Sequence, residues 1–372
     1  MVSIIIERIL KMKFKNTYLL EEAAIVAIDN YNENDLSNQK YEDIRIPGIV
    51  TTDSGVIVCA YELRRHYGDR SPMDLGMKVS TDFGQTWTDR IIIKSGEGIH
   101  SVCSPVFIPD GERLHLLYME DEVKVLYRYT DDLGKTWSED VDLTEGLLSE
   151  IPQHKWAIVA PGPGHGMKLS NGRLITAVWF ASNDDFYPNS NGETQYSVST
   201  IYSDDSGETW HMGELVPDNG IKTMNESEVC ELPDGRVYMT IRSENRNFNG
   251  GSRKAFSISP DGIYNWSPAQ YDEEMLNPRC MSGVCNDDKG RIFYAGCDSP
   301  DVRMYPTLKV SSDCGKTWNK IQFSFRGGYC DVAYNKVSKT VFTCYEARVP
   351  NSQNIYVTEI DVDEIIPNTN LN

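Results

Sequence analysis

Two arginines stand in strand-like segments where a charged side chain is unexpected. Arg45 lies in the segment DIRIPGIV, just before Pro47, and Arg242 ends the β-like run VYMTIRS. A charge inside a buried strand is costly unless it is paired or solvated. Together the two positions suggest arginines that point into a wet pocket and can bind a small anion there. For either arginine taken alone, an exposed strand face is an equally valid interpretation.

The elements that would position these side chains are indicated by an internal repeat, S/T-x-D-x-G-x-T-W. It occurs in full at residues 80–87, 130–137, 203–210 and 311–318, and a degenerate copy at 259–266 keeps the Ser, Asp and Trp. The Asp side chain can bond backbone N–H groups of its own turn, and the Gly supplies a positive φ. Each copy, an Asp box, is therefore predicted to be a hairpin corner whose aspartate is structural and not catalytic.

The segments around the boxes have strand patterns, such as MKVS, VLYRYT and STIYS before a box and GRVYMTIRS after a turn signal. Box starts are separated by 50, 73, 56 and 52 residues, about the length of one four-stranded propeller blade. Five boxes plus terminal strands predict an all-β fold, a six-bladed β-propeller with Asp-box hairpins. We expect residues 1–25 to be an N-terminal extension or edge segment, and residues 26–365 to form the single propeller domain.

Composition limits the function further. A net charge of −19 over 372 residues argues against a nucleic-acid or anionic-membrane surface, although a local arginine cluster can still bind a small anion. The nine cysteines are scattered without a CxxC motif and the six histidines have no ligand-like spacing with them, so we expect reduced thiols and no zinc site. Since neither a calcium loop nor a phosphate-binding glycine motif is evident, we expect no metal or organic cofactor. No segment approaches 18 apolar residues, and the run Ile4–Ile6 is too short for a signal-peptide core. These features predict no membrane span and a cytoplasmic location.

Several short motifs, in addition to the boxes, make the chain resemble the exo-α-sialidase (neuraminidase) family of Asp-box propellers. They follow the family's order over roughly residues 40 to 350, which makes the resemblance specific. The motifs are Arg45-Ile46-Pro47, the strand AYELR ending in Arg64, GPGHG at 162–166, Asn225-Glu226-Ser227 followed by Arg242, Asp301-Val302-Arg303, Gly328-Tyr329 and Cys344-Tyr345-Glu346.

The resemblance implies a site for sialic acid, which carries a carboxylate on its anomeric carbon. Arg45, Arg242 and Arg303 would clamp this carboxylate, because a guanidinium binds carboxylate bidentately and stays charged. Glu346 would pair with Arg45 and fix its orientation. Arg64 would line the pocket beside them.

The resemblance also implies three catalytic residues. Sialidases use a tyrosine nucleophile, since a carboxylate nucleophile would approach the substrate carboxylate against like charge. Tyr329 would be that nucleophile, and Glu226 would take the proton of its phenol. Asp69 would protonate the leaving oxygen and then activate water. Two displacements predict release of terminal sialic acid from glycans or glycoconjugates with retained configuration.

Four of these positions have competitors that the residues alone do not eliminate. Asp69 is preferred because its spacing from Arg64 and from the first box resembles that of the family, and Glu226 is preferred for its Asn-Glu-Ser context. The competitors are Asp74 for Asp69, Glu228 for Glu226, Arg65 for Arg64 and Arg279 for Arg303.

Two other functions are compatible with the same sequence. The arginines could hold a related ulosonic acid such as KDN, or the reaction could end in transfer or in an anhydro product. The chain could also be a non-catalytic propeller that binds glycan or protein, because fold does not determine function. The ordered set of arginines, acids and tyrosine favours the sialidase.

Overall fold

The computed structural model describes residues 14–24, 41–96, 98, 100–152, 155–182, 195–244, 252–349 and 352–362. Within these residues the chain forms 26 β-strands and one short helix, α1 (Thr144–Ser149). No helix in this part of the chain has the length and apolar character needed to cross a membrane. Residues 1–13 of the predicted N-terminal extension lie outside the described residues.

The strands form six sheets, the blades of a propeller, and the first strand of the chain, β1 (Phe14–Ala24), belongs to the last blade. Blade 1 contains β2 (Asp43–Thr51), β3 (Ile57–Arg64), β4 (Met73–Ser80) and β5 (Ile91–Lys94). Blade 2 contains β6 (Val102–Asp110), β7 (Arg113–Glu120), β8 (Lys124–Thr130) and β9 (Val141–Asp142). Blade 3 contains β10 (Ile158–Pro161), β13 (Leu174–Ala181), β14 (Tyr196–Ser203) and β15 (His211–Met212).

Two short strands link blades 2 and 3, because β11 (Gly164–His165) pairs in parallel with β6 while β12 (Met167–Lys168) pairs with β13. Blade 4 contains β16 (Met224–Glu231), β17 (Val237–Ser243), β18 (Arg253–Ser259) and β19 (Gln270–Leu276). Blade 5 contains β20 (Gly283–Asn286), β21 (Ile292–Cys297), β22 (Pro306–Ser311) and β23 (Asn319–Gln322). Blade 6 contains β24 (Cys330–Asn335), β25 (Thr340–Val349) and β26 (Ser352–Ile360), with β1 antiparallel to β26 at its outer edge. The predicted six-bladed propeller is confirmed.

The ring explains why five boxes serve six blades. Each box connects the third strand of a blade to the fourth, as residues 80–87 connect β4 to β5. In blade 6 the fourth strand is β1, from the other end of the chain, so no turn joins it to β26. Strand β1 lies inside segment 1–25, which the sequence predicts to be an N-terminal extension or edge segment. The domain limits drawn from the sequence stay a prediction.

The box aspartates act as turn residues. Asp205 Oδ1 accepts hydrogen bonds from Thr209 N at 2.8 Å and Ser203 Oγ at 2.8 Å, and Asp205 Oδ2 accepts one from Thr209 Oγ1 at 2.6 Å. Gly207 takes a φ of 89°, which a side chain would disfavour. Equivalent bonds recur at Asp82, Asp132 and Asp313. In the degenerate copy the carboxylate of Asp261 accepts the N–H groups of Ile263 and Tyr264 instead.

The hydrophobic core lies between neighbouring blades. Each blade buries the apolar side chains of one face against the blade before it and those of the other face against the blade after it. For example, Ile57 and Tyr61 of blade 1 pack with Phe342 and Ile355 of blade 6. Similar clusters fill the other blade interfaces. Because apolar burial holds the blades side by side, the ends of the innermost strands are free to carry polar groups around the axis.

Candidate active site

Three of the innermost strands carry a β-bulge close to their first residues. The shifts in pairing register fall between Arg45 and Gly48 in β2, Cys103 and Val106 in β6, and Met224 and Ser227 in β16. Within the first two bulges, Ile46 and Ser104 have φ values of 56° and 51°, a strained region for residues other than glycine. A bulge bends the strand and re-aims its side chains. The bulge segments of all three strands contribute residues to one cavity. The cavity lies at the end of the propeller axis where these strands begin, hereafter the mouth of the axis.

The three predicted carboxylate-binding arginines meet in this cavity, which has a volume of about 400 Å³. Arg45, at the start of β2, and Arg303, in the loop between β21 and β22, lie over the ring of Tyr329 with guanidinium carbons 5.3 and 5.1 Å from its centre. Arg242, near the end of β17, donates from Nη1 to the Tyr329 hydroxyl at 2.8 Å. Three positive charges from blades 1, 4 and 5 therefore surround one phenol.

Glu346 of β25 lies directly behind Arg45. Its Oε1 accepts from Arg45 Nε at 2.7 Å and from the backbone N–H of Ile46 at 2.8 Å, and its Oε2 accepts from the Tyr329 N–H at 3.4 Å. Burial would lower the pKa of Arg45, but the charge and hydrogen bond of Glu346, together with Tyr329 and Asp43, outweigh it and raise that pKa well above its usual range. Glu346 thus fixes a guanidinium on blade 1 and the backbone of the tyrosine on blade 6.

Tyr329 and Glu226 form a buried hydrogen-bonded pair. The phenol donates to Glu226 Oε1, and Glu226 Oε2 accepts from Arg242 Nη1. Only 5% of Tyr329 and 9% of Glu226 are exposed. Burial, together with the charge of Glu226, raises the pKa of Tyr329 well above its usual range. The phenol is therefore protonated at rest, and Glu226 is placed to accept its proton.

Asp69 lies on the open side of the same cavity, in the loop between β3 and β4. Its Oδ1 accepts from Arg64 Nη1 at 2.6 Å, and its side chain is 66% exposed. Arg64 also donates from Nε and Nη2 to Glu62 Oε2, at 2.9 and 2.6 Å. Desolvation would raise the pKa of Asp69, but the charge and hydrogen bond of Arg64, together with the charges of Arg45 and Arg303, outweigh it and lower that pKa. In this state Asp69 is an ion-paired carboxylate.

Comparison with known proteins identifies the family. Residues 45–339 match the BNR repeat-like domain. The chain belongs to this family. A sialidase of Paraclostridium sordellii is 31% identical over 242 residues, which cover 59% of this chain and 56% of that protein. A sialidase of Bacteroides fragilis is 26% identical over 314 residues, which cover 74% and 54%. The chain thus spans about half the length of these curated relatives, and the predicted resemblance to the sialidase family is confirmed.

Solved structures support the fold of this family member. The Hadza microbial sialidase Hz136 superposes with a TM-score of 0.71 at 23% identity, over 88% of this chain and 67% of that one. An intramolecular trans-sialidase from Ruminococcus gnavus superposes with a TM-score of 0.68 at 17% identity, over 92% of this chain and 99% of that one. At such identities the superpositions establish a shared propeller architecture.

The four competitors lie away from the cavity lining. Arg65 points to the other side of β3, where its Nη2 bonds to Asp74 Oδ1 at 2.8 Å, and Asp74 also accepts from Tyr41, Ser95 and the N–H of Gly96. Glu228 and Arg279 do not line the cavity either. Glu228 lies on the propeller axis beside His165, and Arg279 contacts the site through its backbone oxygen, which accepts from Arg303 Nη2 at 3.2 Å. By contrast, seven of the eight predicted site residues line the cavity and the eighth, Glu346, bonds to Arg45.

Four charged residues of the cavity were missed by sequence reasoning. Glu62 is 2% exposed and joins Arg64 to the N–H of Ser104, which it accepts at 2.8 Å. Glu244 pairs with Arg242 Nη2. Arg70, next to Asp69, donates from Nε and Nη2 to Glu122 at 3.0 and 2.8 Å, joining the Asp69 loop to the turn after β7. Glu62, Glu244 and Arg70 each lie within two residues of a predicted site residue, so their proximity in the sequence could have indicated them. No comparable signal in the sequence pointed to Glu122.

The wall formed by blades 2 and 3 is largely apolar. It is lined by Met119, Ile158, Trp179 and Tyr196. The opposite side carries the three arginines that surround Tyr329 and their carboxylate partners, so most of the charge in the cavity lies on that side. Such a site suits a ligand with an anionic group at one end and an apolar group at the other.

Three buried residues on the axis have donor atoms close enough to resemble a metal site. Within the described ranges, His165, Glu228 and Asp331 form the one group of this kind, with donor atoms within 4.8 Å of one another. However, each of the two carboxyls accepts two backbone N–H bonds: Glu228 those of His165 and Val284, Asp331 those of Ile49 and Val332. The three side chains form a hydrogen-bonded cluster, hereafter the axial cluster.

Proposed function

We propose that this protein is a retaining exo-α-sialidase that releases terminal sialic acid from glycans or glycoconjugates. The observation that carries the proposal is the convergence of Arg45, Arg242 and Arg303 on Tyr329, whose phenol donates to Glu226. Three fixed guanidinium groups suit a substrate whose anomeric carbon carries a carboxylate. A neutral phenol can approach that carbon where a carboxylate would be repelled.

In the proposed first step, the substrate carboxylate lies among the three arginines and Tyr329 attacks the anomeric carbon. The phenol proton passes to Glu226, to which it is already hydrogen-bonded, as the bond to the sugar forms. The bond to the leaving oxygen breaks, and Asp69 supplies a proton to that oxygen. The product of this step is a sugar linked to the tyrosine.

In the proposed second step, Asp69 takes a proton from water, the water oxygen bonds to the anomeric carbon, and the bond to the tyrosine oxygen breaks. Glu226 returns its proton to that oxygen. Two inversions give overall retention. Because Asp69 is paired with Arg64 at rest, uptake of the proton that Asp69 donates competes with this ion pair.

The test is hydrolysis of the 4-methylumbelliferyl glycoside of sialic acid at mildly acidic pH. Wild type is expected to release the fluorophore, and proton NMR of the first sugar product is expected to show retained configuration. Tyr329→Phe and Glu226→Gln should lower kcat by roughly 10³-fold or more, since each removes a reacting group. Tyr334→Phe is the matched control, because that hydroxyl bonds to Asp288 at the other end of β24.

Two results would contradict the proposal. Folded wild type that cleaves neither this substrate nor natural sialosides, but binds sialic acid, would indicate a binding propeller. Cleavage of the KDN glycoside alone, or an anhydro or transfer product by mass spectrometry, would keep the site but change the substrate or the reaction.

A further inference from the structure

The axial cluster lies at the centre of the propeller, below the candidate active site. His165 Nδ1 is 2.9 Å from Asp331 Oδ1 and 3.5 Å from Glu228 Oε2. A carboxyl oxygen of Glu228 and one of Asp331 lie within 4.8 Å of each other. Glu228 and Asp331 are fully buried. None of the three side chains reaches the cavity that contains Tyr329, so the proposed reaction does not use them directly.

The cluster connects most of the blades at their innermost strands. Glu228 belongs to β16 of blade 4 and accepts from the N–H of Val284 in β20 of blade 5, at 2.8 Å. Asp331 belongs to β24 of blade 6 and accepts from the N–H of Ile49 in β2 of blade 1, at 2.7 Å. His165 belongs to β11, which pairs with β6 of blade 2. One network of side chains therefore fixes the spacing of five blades around the axis.

The backbone packs closely against both carboxyls. A side chain added at Gly164 would overlap Glu228 Oε1, and one added at Gly283 would overlap Asp331 Oδ1. The chain thus approaches both acids at positions where only glycine fits. Close packing of this kind transmits small displacements to neighbouring atoms.

The cluster and the reacting pair share the same two strands. Glu228 is two residues after Glu226 in β16, and Asp331 is two residues after Tyr329, which directly precedes β24. The two strands carry the base and the nucleophile at the mouth and the two buried acids one step below. A change in the separation of Glu228 from Asp331 would therefore be passed along these strands to Glu226 and Tyr329.

We infer that Glu228 and Asp331, together with His165, are positioning residues that hold Glu226 and Tyr329 at reacting distance. This inference rests on the proposed function. Burial and the nearby charge of Asp331 raise the pKa of Glu228 well above its usual range. The contact that joins β16 to β24 is the one that the two carboxyls make around His165 Nδ1.

Two substitutions at one position test this contact. Glu228→Gln keeps the shape of the side chain and one oxygen that can accept a backbone N–H, whereas Glu228→Leu keeps a similar volume but removes every polar contact of the side chain. Glu231→Gln is the matched control, because Glu231 ends the same strand and bonds to Ser170 at the propeller surface. Thermal melts establish which variants are folded.

The readout separates attack by the tyrosine from binding of the sugar. Covalent trapping by 2,3-difluorosialic acid reports attack by Tyr329, and the Kd of the inhibitor DANA reports binding in the cavity. We expect Glu228→Leu to slow trapping by roughly 10- to 100-fold, because a small displacement of reacting atoms is enough for such a loss. The Kd for DANA should stay within about threefold of wild type, and Glu228→Gln, which keeps one of the two acceptor oxygens, should be trapped faster than Glu228→Leu.

Several outcomes would overturn the inference. One is a folded Glu228→Leu variant that is trapped as fast as wild type. Another is equal slowing of trapping in Glu228→Gln and Glu228→Leu, and a third is a loss of DANA binding in Glu228→Leu that parallels the loss of trapping. If Glu228→Leu does not fold, Asp331→Asn takes its place with the same expectations, and loss of folding in both would show a structural role alone. Wild type that the fluorosugar fails to trap would instead remove the proposed function, and with it the inference.

Discussion

The Asp-box corners and the mouth of the axis both rely on carboxylates, but they obtain their partners in opposite ways. Asp205 bonds to Thr209, four residues along the chain, in an exposed turn. Glu346 bonds to Arg45 across 301 residues, and Tyr329 to Glu226 across 103, in buried positions. A corner is therefore complete within one eight-residue repeat, whereas the mouth exists only when the ring has formed.

This difference has energetic consequences. An exposed carboxylate that loses a local partner is resolvated by water, so the change in free energy is small. A buried charge that loses its partner has no water to replace it, and the cost is several kcal/mol. The effects of substitutions in the two regions on the free energy of unfolding should therefore differ in size. The two regions should also differ in whether a substitution alters activity.

The largest effect is expected for Glu346→Gln. The amide would place an N–H group against the Tyr329 N–H or leave Arg45 without its negative partner. We expect the free energy of unfolding in urea to fall by about 3 kcal/mol, as for other broken buried pairs. With Arg45 no longer fixed, kcat/KM should fall by roughly 10- to 100-fold.

Glu120→Gln is the matched control for this prediction. Glu120 pairs with Lys124 at the surface, so its loss should cost roughly 1 kcal/mol or less and leave activity unchanged. Equal effects from the two substitutions would remove the distinction between the mouth and the surface.

A smaller effect is expected for the pH dependence of Arg64→Gln. Arg64 stabilises the charged form of Asp69 and lowers its pKa, so removing the guanidinium raises that pKa. A general acid works in its protonated form, and a higher pKa keeps it protonated to higher pH. The alkaline limb of the plot of kcat/KM against pH should therefore move to higher pH, whether or not the maximum value of kcat/KM changes.

Arg65→Gln provides the comparison, because Arg65 is adjacent in sequence but pairs with Asp74 away from the cavity. In Arg65→Gln the alkaline limb of the plot of kcat/KM against pH should stay at the wild-type pH. A limb that stays in place in Arg64→Gln, or moves equally in both variants, would argue that Asp69 is not the acid.

The smallest effect is expected at a corner. Asp205→Ala removes three hydrogen bonds from an exposed turn and should lower the free energy of unfolding by about 1 kcal/mol, with a fall in Tm of about 2 °C. The kcat should not change. Asp204→Ala, which removes only the surface pair with Arg173, should have a smaller effect on Tm. A loss of activity in Asp205→Ala would contradict the purely structural role of the boxes.

The same contrast explains what the sequence could predict. The boxes repeat a local turn, so their positions indicated the blades and the fold. The site residues were assigned through short motifs, and the structure brings Arg45, Arg242 and Arg303 together around Tyr329. The roles proposed for these residues, the domain limits and the cytoplasmic location stay predictions.

Residues whose partners lie on other blades were beyond local patterns. Glu122 contacts Arg70 across 52 residues, and no spacing in the chain relates them. Glu228 was weighed only as an alternative base, because its partners His165 and Asp331 lie 63 residues before it and 103 after it. Such contacts depend on the closed ring, which the sequence predicts as a class of fold but not as a set of distances.

Completion of the last blade by β1 has a consequence for how the protein folds. Phe14 pairs opposite Ile360, so this contact joins residues near the two ends of the described chain. Contacts between such distant residues form slowly, because a long loop must first be closed. Until β1 arrives, β26 is an unpaired edge strand, the kind of element that recruits strands from other chains. The pairing that completes the ring thus also determines where folding intermediates of this protein are most open to aggregation.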